Sequence, residues 1–192
     1  LIELLQNVKG TKDERIQYSP ERMEETIKLA VKKSNWGNTT EGTYQGFSSY
    51  YSHNTHVAEV ADIVMKNGMP LVKKVTVAVD CGIVVNPLGA KNQVEGGVID
   101  GIGHAMYGNF SFKEGTPQAV NFDNYRLIRM QETPEVSTHF VESGLSPTGL
   151  GEPGLPPAGG AVANAIHTAT GERLLKQPFI NELEMSKSKI LG

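Results

Sequence analysis

A single carboxylate, Glu152, stands in the stretch Gly149-Leu150-Gly151-Glu152-Pro153-Gly154-Leu155-Pro156-Pro157-Ala158, surrounded by glycine and proline and with no other charge. Proline fixes φ and glycine admits positive φ, so the shape of this loop comes from its own residues. A helical pattern begins directly after it, and the free amides of a helix start favour negative charge in the preceding loop. A stiff loop that presents one glutamate suits a general base. The same residues also suit a proline-rich connector whose glutamate is simply solvated.

A second set of polar residues lies earlier. Gln93, Gly97, Asp100 and His104 share one face of a helix predicted over 87–106. Gln93 carries both donors and an acceptor, as needed to read the edge of a heterocycle. Gly89, Gly96, Gly97, Gly101 and Gly103 fall in the same helix. Each costs about 0.5–1 kcal/mol relative to alanine there, so close approach of another backbone or of a ligand is expected to offset them. The alternative is tight helix-on-sheet packing with Gln93 at the rim.

His53 and His56 invite a metal reading. On a strand, residues three apart face opposite sides, and no third ligand is spaced to join them, so no metal site is assigned. Gly101-Ile102-Gly103-His104-Ala105-Met106 fails as a dinucleotide loop, because Met106 takes the third glycine position and the motif lies inside a helix. There is no Walker A loop and no serine in a nucleophile-elbow setting.

The elements that must position these groups follow from capping and periodicity. Ser19 and Pro20 open a helix over 20–35, with acids at its start and lysines at its end. Residues 41–65 read as two strands joined by a turn at 52–56, with Gly42 and Gly46 marking close backbone neighbours. Asn67-Gly68 is a hairpin signal, and Lys74 to Asp80 alternates as the partner strand. Asn86 and Pro87 cap and start the glycine-rich helix. Strands are expected over Val120–Leu127, interrupted by Asp123-Asn124, and over Val136–Val141. A small-sided apolar helix over 157–170 ends at Gly171, with His167 as a surface residue near its end. Together these make an α+β, two-layer domain over residues 1–180, a mixed or antiparallel sheet covered by helices, followed by a mobile tail over 181–192. Leu1 to Leu5 reads as the end of an element, and a chain without initiator Met reads as a piece of something longer.

The net charge of -3 and the lack of a dense basic run exclude a broad nucleic-acid surface. No apolar run approaches the roughly 18 residues of a membrane span. Cys81 is the only cysteine, which excludes a disulfide framework and an iron–sulfur cluster held by this chain's thiolates.

Four segments, in order, carry a resemblance. They are Ala78-Val79-Asp80-Cys81-Gly82-Ile83-Val84-Val85-Asn86-Pro87, Gln93-Val94-Glu95-Gly96-Gly97, Asn121-Phe122-Asp123-Asn124-Tyr125-Arg126-Leu127 and Gly151-Glu152-Pro153-Gly154-Leu155-Pro156-Pro157. Over residues 20 to 180 the chain resembles the molybdenum hydroxylases, the family of xanthine dehydrogenase and aldehyde oxidase. It resembles in particular the last part of the large (beta) subunit of bacterial isoquinoline 1-oxidoreductase and its relatives.

The resemblance implies a molybdopterin-type molybdenum cofactor, held through the pterin dithiolene so that the protein need not supply a metal ligand. It implies that Glu152, in the GEP motif, takes a proton from the water-derived oxygen that attacks an electron-poor carbon of an N-heteroaromatic or aldehyde substrate. It implies that Gln93, in the QxEG motif, contacts the pterin, with Gly97 and Gly151 beside the cofactor. Electrons would leave through a small iron–sulfur subunit. Burial near an apolar loop is expected to raise the affinity of Glu152 for its proton. Residues 52–56 look like an insertion relative to the family's shorter strand. The upstream parts of the family subunit, which carry most cofactor contacts, are missing from this sequence. The isolated chain is therefore expected to be inactive and cofactor-free. A reading from another class is a non-catalytic scaffold or subunit-interaction module of the same fold.

Overall fold

The computed structural model describes residues 1–8 and 18–183. The elements run α1 (Ile2–Asn7), α2 (Pro20–Lys33), β1 (Thr43–Ser52), β2 (Thr55–Lys66), β3 (Met69–Asp80), α3 (Pro87–Met106), β4 (Phe112–Lys113), β5 (Thr116–Pro117), β6 (Glu135–Phe140) and α4 (Pro156–Thr170). The main sheet has the order β1-β2-β3-β6. Its first two pairings are antiparallel, and β3 pairs with β6 in parallel. The sheet is thus mixed, and the long crossover that a parallel pair requires passes through α3.

Two-residue turns with positive φ at both central positions close the hairpins. His53 and Asn54 (φ 51° and 61°) join β1 to β2, and Asn67 and Gly68 (φ 53° and 72°) join β2 to β3. Such turns match the right-handed twist of the strands.

The strands β2 and β3 are buried on both faces. Val57, Ala61, Ile63, Val75, Val77 and Val79 join α3 and α4 in the larger core. Ala58, Val60 and Ala78 pack on the other side against Met23, Ile27 and Ala30 of α2 and Leu5 of α1. Helices therefore cover the sheet on each face. Ser19 caps α2 by accepting from the Arg22 N–H, as its sequence indicates. The α4 backbone lies directly on Gly46 of β1, where a Cβ would overlap Ala161 and Ala165. Asn164 and Thr168 of α4 donate to the carbonyls of Phe47 and Gln45, so the helix also covers this sheet edge.

Two expectations change. Residues 120–127 form no strand. The Asn124 Oδ1 accepts the N–H groups of Val120 and Asn121, both at 3.1 Å, closing a turn that leaves Val120 and Phe122 exposed. An asparagine side chain here replaces the partner a strand would have supplied. The mobile tail expected from residue 181 does not hold over 181–183, because residues 179–183 are helical and bury Phe179 and Leu183, one turn apart, in the core. The rest of that expectation lies outside the described residues.

Candidate active-site wall

The helix α3 spans Pro87–Met106, with Asn86 accepting from the Gly89 N–H as its cap. Two of its glycines have a visible purpose. A Cβ on Gly101 would overlap the Leu155 carbonyl, and one on Gly97 would lie 3.5 Å from the Leu155 nitrogen. The close neighbour that offsets these glycines is the backbone of residues 154–155, not a space left open for a ligand. Gly154 in turn lies against Val94, its missing Cβ 3.3 Å from the Val94 carbonyl. Pro153 and Gly154 are buried. The loop before α4, shaped by its own prolines and glycines, is therefore also packed against α3.

Gln93 then meets this loop. Its side-chain amide donates to the Gly151 carbonyl in a short hydrogen bond across 58 positions of sequence. The QxEG and GEP segments thus come together. Among the described residues the Gln93 amide oxygen takes no protein partner, and no atom lies within 4 Å of where a Cβ on Gly151 would sit. Glu152 projects beside them with its side chain 69% exposed. The burial expected around this carboxylate is not supplied by this chain, because the loop turns its apolar residues into the core and the glutamate out.

The other side of the loop is fixed to the β1–β2 hairpin. The Gly149 N–H donates to the His53 carbonyl at 3.0 Å, and the Thr55 hydroxyl donates to the Gly149 carbonyl at 2.6 Å and lies 2.7 Å from the Thr148 hydroxyl. The His53 Nε2 lies 3.8 Å from the Glu152 Oε1. Further back, the Ile83 N–H donates to the Leu145 carbonyl and the Thr148 N–H to the Cys81 carbonyl, both at 2.9 Å. Gly82, at φ 72°, passes so close to Ser146 that a side chain would overlap it.

That contact rests on an ion pair. Arg22 of α2 binds Asp80 in a bidentate fork, Nε to Oδ2 at 2.8 Å and Nη2 to Oδ1 at 2.9 Å. The Asp80 Oδ1 also accepts from the Gly82 N–H and the Ser143 hydroxyl. Burial acts to raise the proton affinity of Asp80, but the hydrogen bonds from Arg22, Gly82 and Ser143 outweigh it and hold the carboxyl below its ordinary range. A charge network at the end of β3 thereby supports the loop that carries Glu152.

The histidine metal reading does not survive. The His56 side chain is buried, and its Nε2 accepts the Ser19 N–H at 3.1 Å. Burial, and then the Arg22 charge, lower its pKa to about 4, so it stays neutral. No group of three His, Cys, Asp or Glu side chains among the described residues could hold a metal. His104 pairs with Asp100 at 3.5 Å on the exposed face of α3, and His167 is half-buried near the end of α4, its Nδ1 3.3 Å from the Glu172 carbonyl. Sequence reasoning missed the clamp by His53, Thr55 and Thr148. The only local signal for it was the turn chemistry of His53-Asn54.

The residues present fit one wall of a cofactor site. An uncommitted amide oxygen on Gln93, an open flank at Gly151 and the exposed carboxylate of Glu152 lie on segments that the Gln93–Gly151 hydrogen bond joins. The absence of a metal-ligand cluster among the described residues suits a metal that brings its own organic ligand. The glycine-bearing helix and the clamped GEP loop stand together on the mixed sheet. Residues 6–134 match the family model described as the molybdopterin cofactor-binding domain, and the chain belongs to that family.

Among relatives, it is 33% identical over 169 residues to a membrane-bound aldehyde dehydrogenase [pyrroloquinoline-quinone] of Gluconacetobacter polyoxogenes, covering 82% of this chain and 21% of that protein. It is 33% identical over 136 residues to the isoquinoline 1-oxidoreductase subunit beta of Brevundimonas diminuta, covering 70% and 17%. The fold is shared with quinoline 2-oxidoreductase from Pseudomonas putida 86, with a TM-score of 0.59 at 20% identity, over 69% of this chain and 18% of that one. The chain spans about a fifth of the length of the curated relatives it matches.

Proposed function

We propose that this chain forms one wall of the active site of a molybdenum-dependent hydroxylase, with Glu152 as general base and an N-heteroaromatic compound or an aldehyde as substrate. The hydrogen bond from Gln93 to the Gly151 carbonyl carries the reading, because it joins the two segments that the chemistry needs side by side. When bound, the cofactor supplies two-electron redox chemistry at a carbon centre. This chain's part is to hold a proton acceptor in place. The exposed Glu152 carboxylate can take a proton from a water-derived oxygen and release it to solvent. Gln93 keeps an amide oxygen free to accept from a heterocyclic N–H. Gly151 lets a flat ring approach the backbone, and Gly97 lets the loop lie on α3.

Exposed Val85, Leu88, Phe122 and Met130 support the idea that further polypeptide completes the site and excludes water from it. Cys81, the only cysteine of this sequence, is buried, so the thiolates of this chain hold no iron–sulfur cluster, and a small iron–sulfur subunit is the proposed route out for the electrons.

The test is Glu152→Gln in the full-length, cofactor-loaded protein. Turnover should fall by about 100-fold or more, since a general base contributes that much, while molybdenum content stays at the parental level. Turnover within tenfold of the parent rules out the base. The competing reading, a non-catalytic scaffold, predicts less than about one molybdenum in ten chains of the native protein. Elemental analysis of the native protein separates the two readings.

A further inference from the structure

The Thr55 side chain is fully buried where β2 leaves its hairpin, so its hydroxyl must find partners inside the protein. Both partners lie in the loop before Glu152. The hydroxyl donates to the Gly149 carbonyl at 2.6 Å and stands 2.7 Å from the Thr148 hydroxyl, across 94 and 93 positions of sequence. A hydroxyl has one proton to give. With that proton committed to Gly149, Thr148 must be the donor to Thr55. The groups form one directed chain, from the Thr148 hydroxyl through Thr55 to the Gly149 carbonyl.

Gly149 is gripped on both sides. Its N–H donates to the His53 carbonyl at 3.0 Å, and a Cβ on it would lie 2.6 Å from the His53 Cβ, so only glycine lets hairpin and loop approach this closely. Further along, the segment is held from α3. Gln93 donates to the Gly151 carbonyl, and Gly154 is buried against Val94. The Leu155 N–H donates to the Glu152 carbonyl at 3.0 Å. Glu152 thus stands between two anchors, one on the hairpin and one on α3. Its side chain is exposed, so the backbone that carries it sets where the carboxylate stands.

We propose, on the reading of Glu152 as the base, that Thr55 is its positioning residue: the buried hydroxyl fixes the hairpin side of the loop. Without that hydroxyl the loop keeps its α3 anchor and shifts about it. No bond is made or broken by Thr55.

The test compares Thr55→Val, which keeps the branched shape and removes the hydroxyl, with Thr55→Ser, which keeps the hydroxyl, in the full-length, cofactor-loaded protein. Hydrogen–deuterium exchange read by mass spectrometry follows the peptide over residues 145–155, whose Thr148, Gly149 and Leu155 amides are hydrogen-bonded. In Thr55→Val these amides should exchange about three- to tenfold faster, the effect of one lost hydrogen bond, while α3 keeps the parental rate. The kcat should fall by about tenfold or more with KM within about twofold of the parent, because a displaced base costs rate rather than substrate binding. Thr55→Ser should restore both.

Parental exchange over 145–155 in Thr55→Val overturns the proposal. So does a Thr55→Ser protein as impaired as Thr55→Val, which assigns the effect to packing of the methyl group. Equal acceleration over the loop, the sheet and α3 marks a general loss of stability and overturns it as well. If Thr55→Val fails to accumulate, Thr148→Val at its half-buried position carries the test. Without its donor the Thr55 hydroxyl can turn from Gly149, so the same peptide should exchange about twofold faster, and parental exchange overturns the proposal. Loop exchange decides the clamp by itself and turnover of Glu152→Gln decides the base, so the two readings fail separately. Faster exchange with kcat unchanged, beside an inactive Glu152→Gln, leaves a clamp that positions nothing and overturns the proposal.

Discussion

Gln93 and Gly151 are joined by one hydrogen bond that closes a span of 58 residues and sets the QxEG helix against the GEP loop. The bond occupies one end of the Gln93 amide and leaves the other end free. A residue with this geometry helps build the proposed wall and keeps one polar atom unpaired within the chain.

Gln93→Leu should therefore separate stability from activity. The Gly151 carbonyl is exposed and can turn to water, so the loss in stability is expected at about 0.5–1.5 kcal/mol. Turnover of the full-length, cofactor-loaded protein should fall by about 10–100-fold, as when a residue orienting a metal-site group is lost. Denaturant melts and steady-state kinetics on the same preparation check the pair of values.

Alanine at two glycines of α3 should act in opposite directions. At Gly101 a Cβ would overlap the Leu155 carbonyl, so Gly101→Ala should destabilise by about 1–3 kcal/mol or displace the loop. At Gly96 nothing lies within 4 Å, and Gly96→Ala should stabilise by about 0.5–1 kcal/mol through helix propensity alone. Thermal melts of the two variants decide the matter, and equal shifts would contradict the packing described.

Two buried groups set opposite pH dependences. His56 is kept neutral with its pKa lowered to about 4, so the unfolded chain binds its proton first as pH falls. Its contribution is full above about pH 6.5 and is lost as pH falls toward 4, by up to about 3 kcal/mol. Glu59 is fully buried, neither carboxyl oxygen has a partner, and burial raises its pKa well above the ordinary value. The unfolded chain ionises while the folded one does not, so this residue's contribution is lost as pH rises above the unfolded carboxyl range of about 4.3. Glu59→Met should raise stability at pH 8 by about 1–3 kcal/mol and flatten the alkaline side of the profile. Urea titrations between pH 4 and 9 would show it, and a variant weaker than the parent at pH 8 would count against a neutral, unpaired carboxyl.

Breaking the Arg22–Asp80 fork should be severe. Asp80 is 1% exposed, and removal of its partner leaves a buried charge uncompensated. Arg22→Ala is expected to destabilise by about 3–5 kcal/mol. Arg22→Lys should recover only part of this, because an ammonium cannot reproduce the two parallel bonds. Chemical denaturation of the three proteins measures the series.

Much of the architecture was legible in local chemistry. Ser19-Pro20 and Asn86-Pro87 open α2 and α3 where their capping residues indicate, and Asn67-Gly68 closes its hairpin. These signals act over a few residues, so they survive without knowledge of the fold. The apparent strand over 120–127 misled because its aromatic residues suggest a sheet face, while Asn124 satisfies the neighbouring amides from its own side chain.

The sequence by itself determined the helix starts, the hairpins, the stiffness of the loop around Glu152 and the four segments that mark the family. Only the tertiary structure decided that the α3 glycines accommodate the loop backbone, that Glu152 faces outward, and that His53 stands beside it. The reason is range. Caps and turns are fixed by interactions between near neighbours, whereas His53, Gln93 and Glu152 meet only because the sheet and two helices fold their distant segments onto one face.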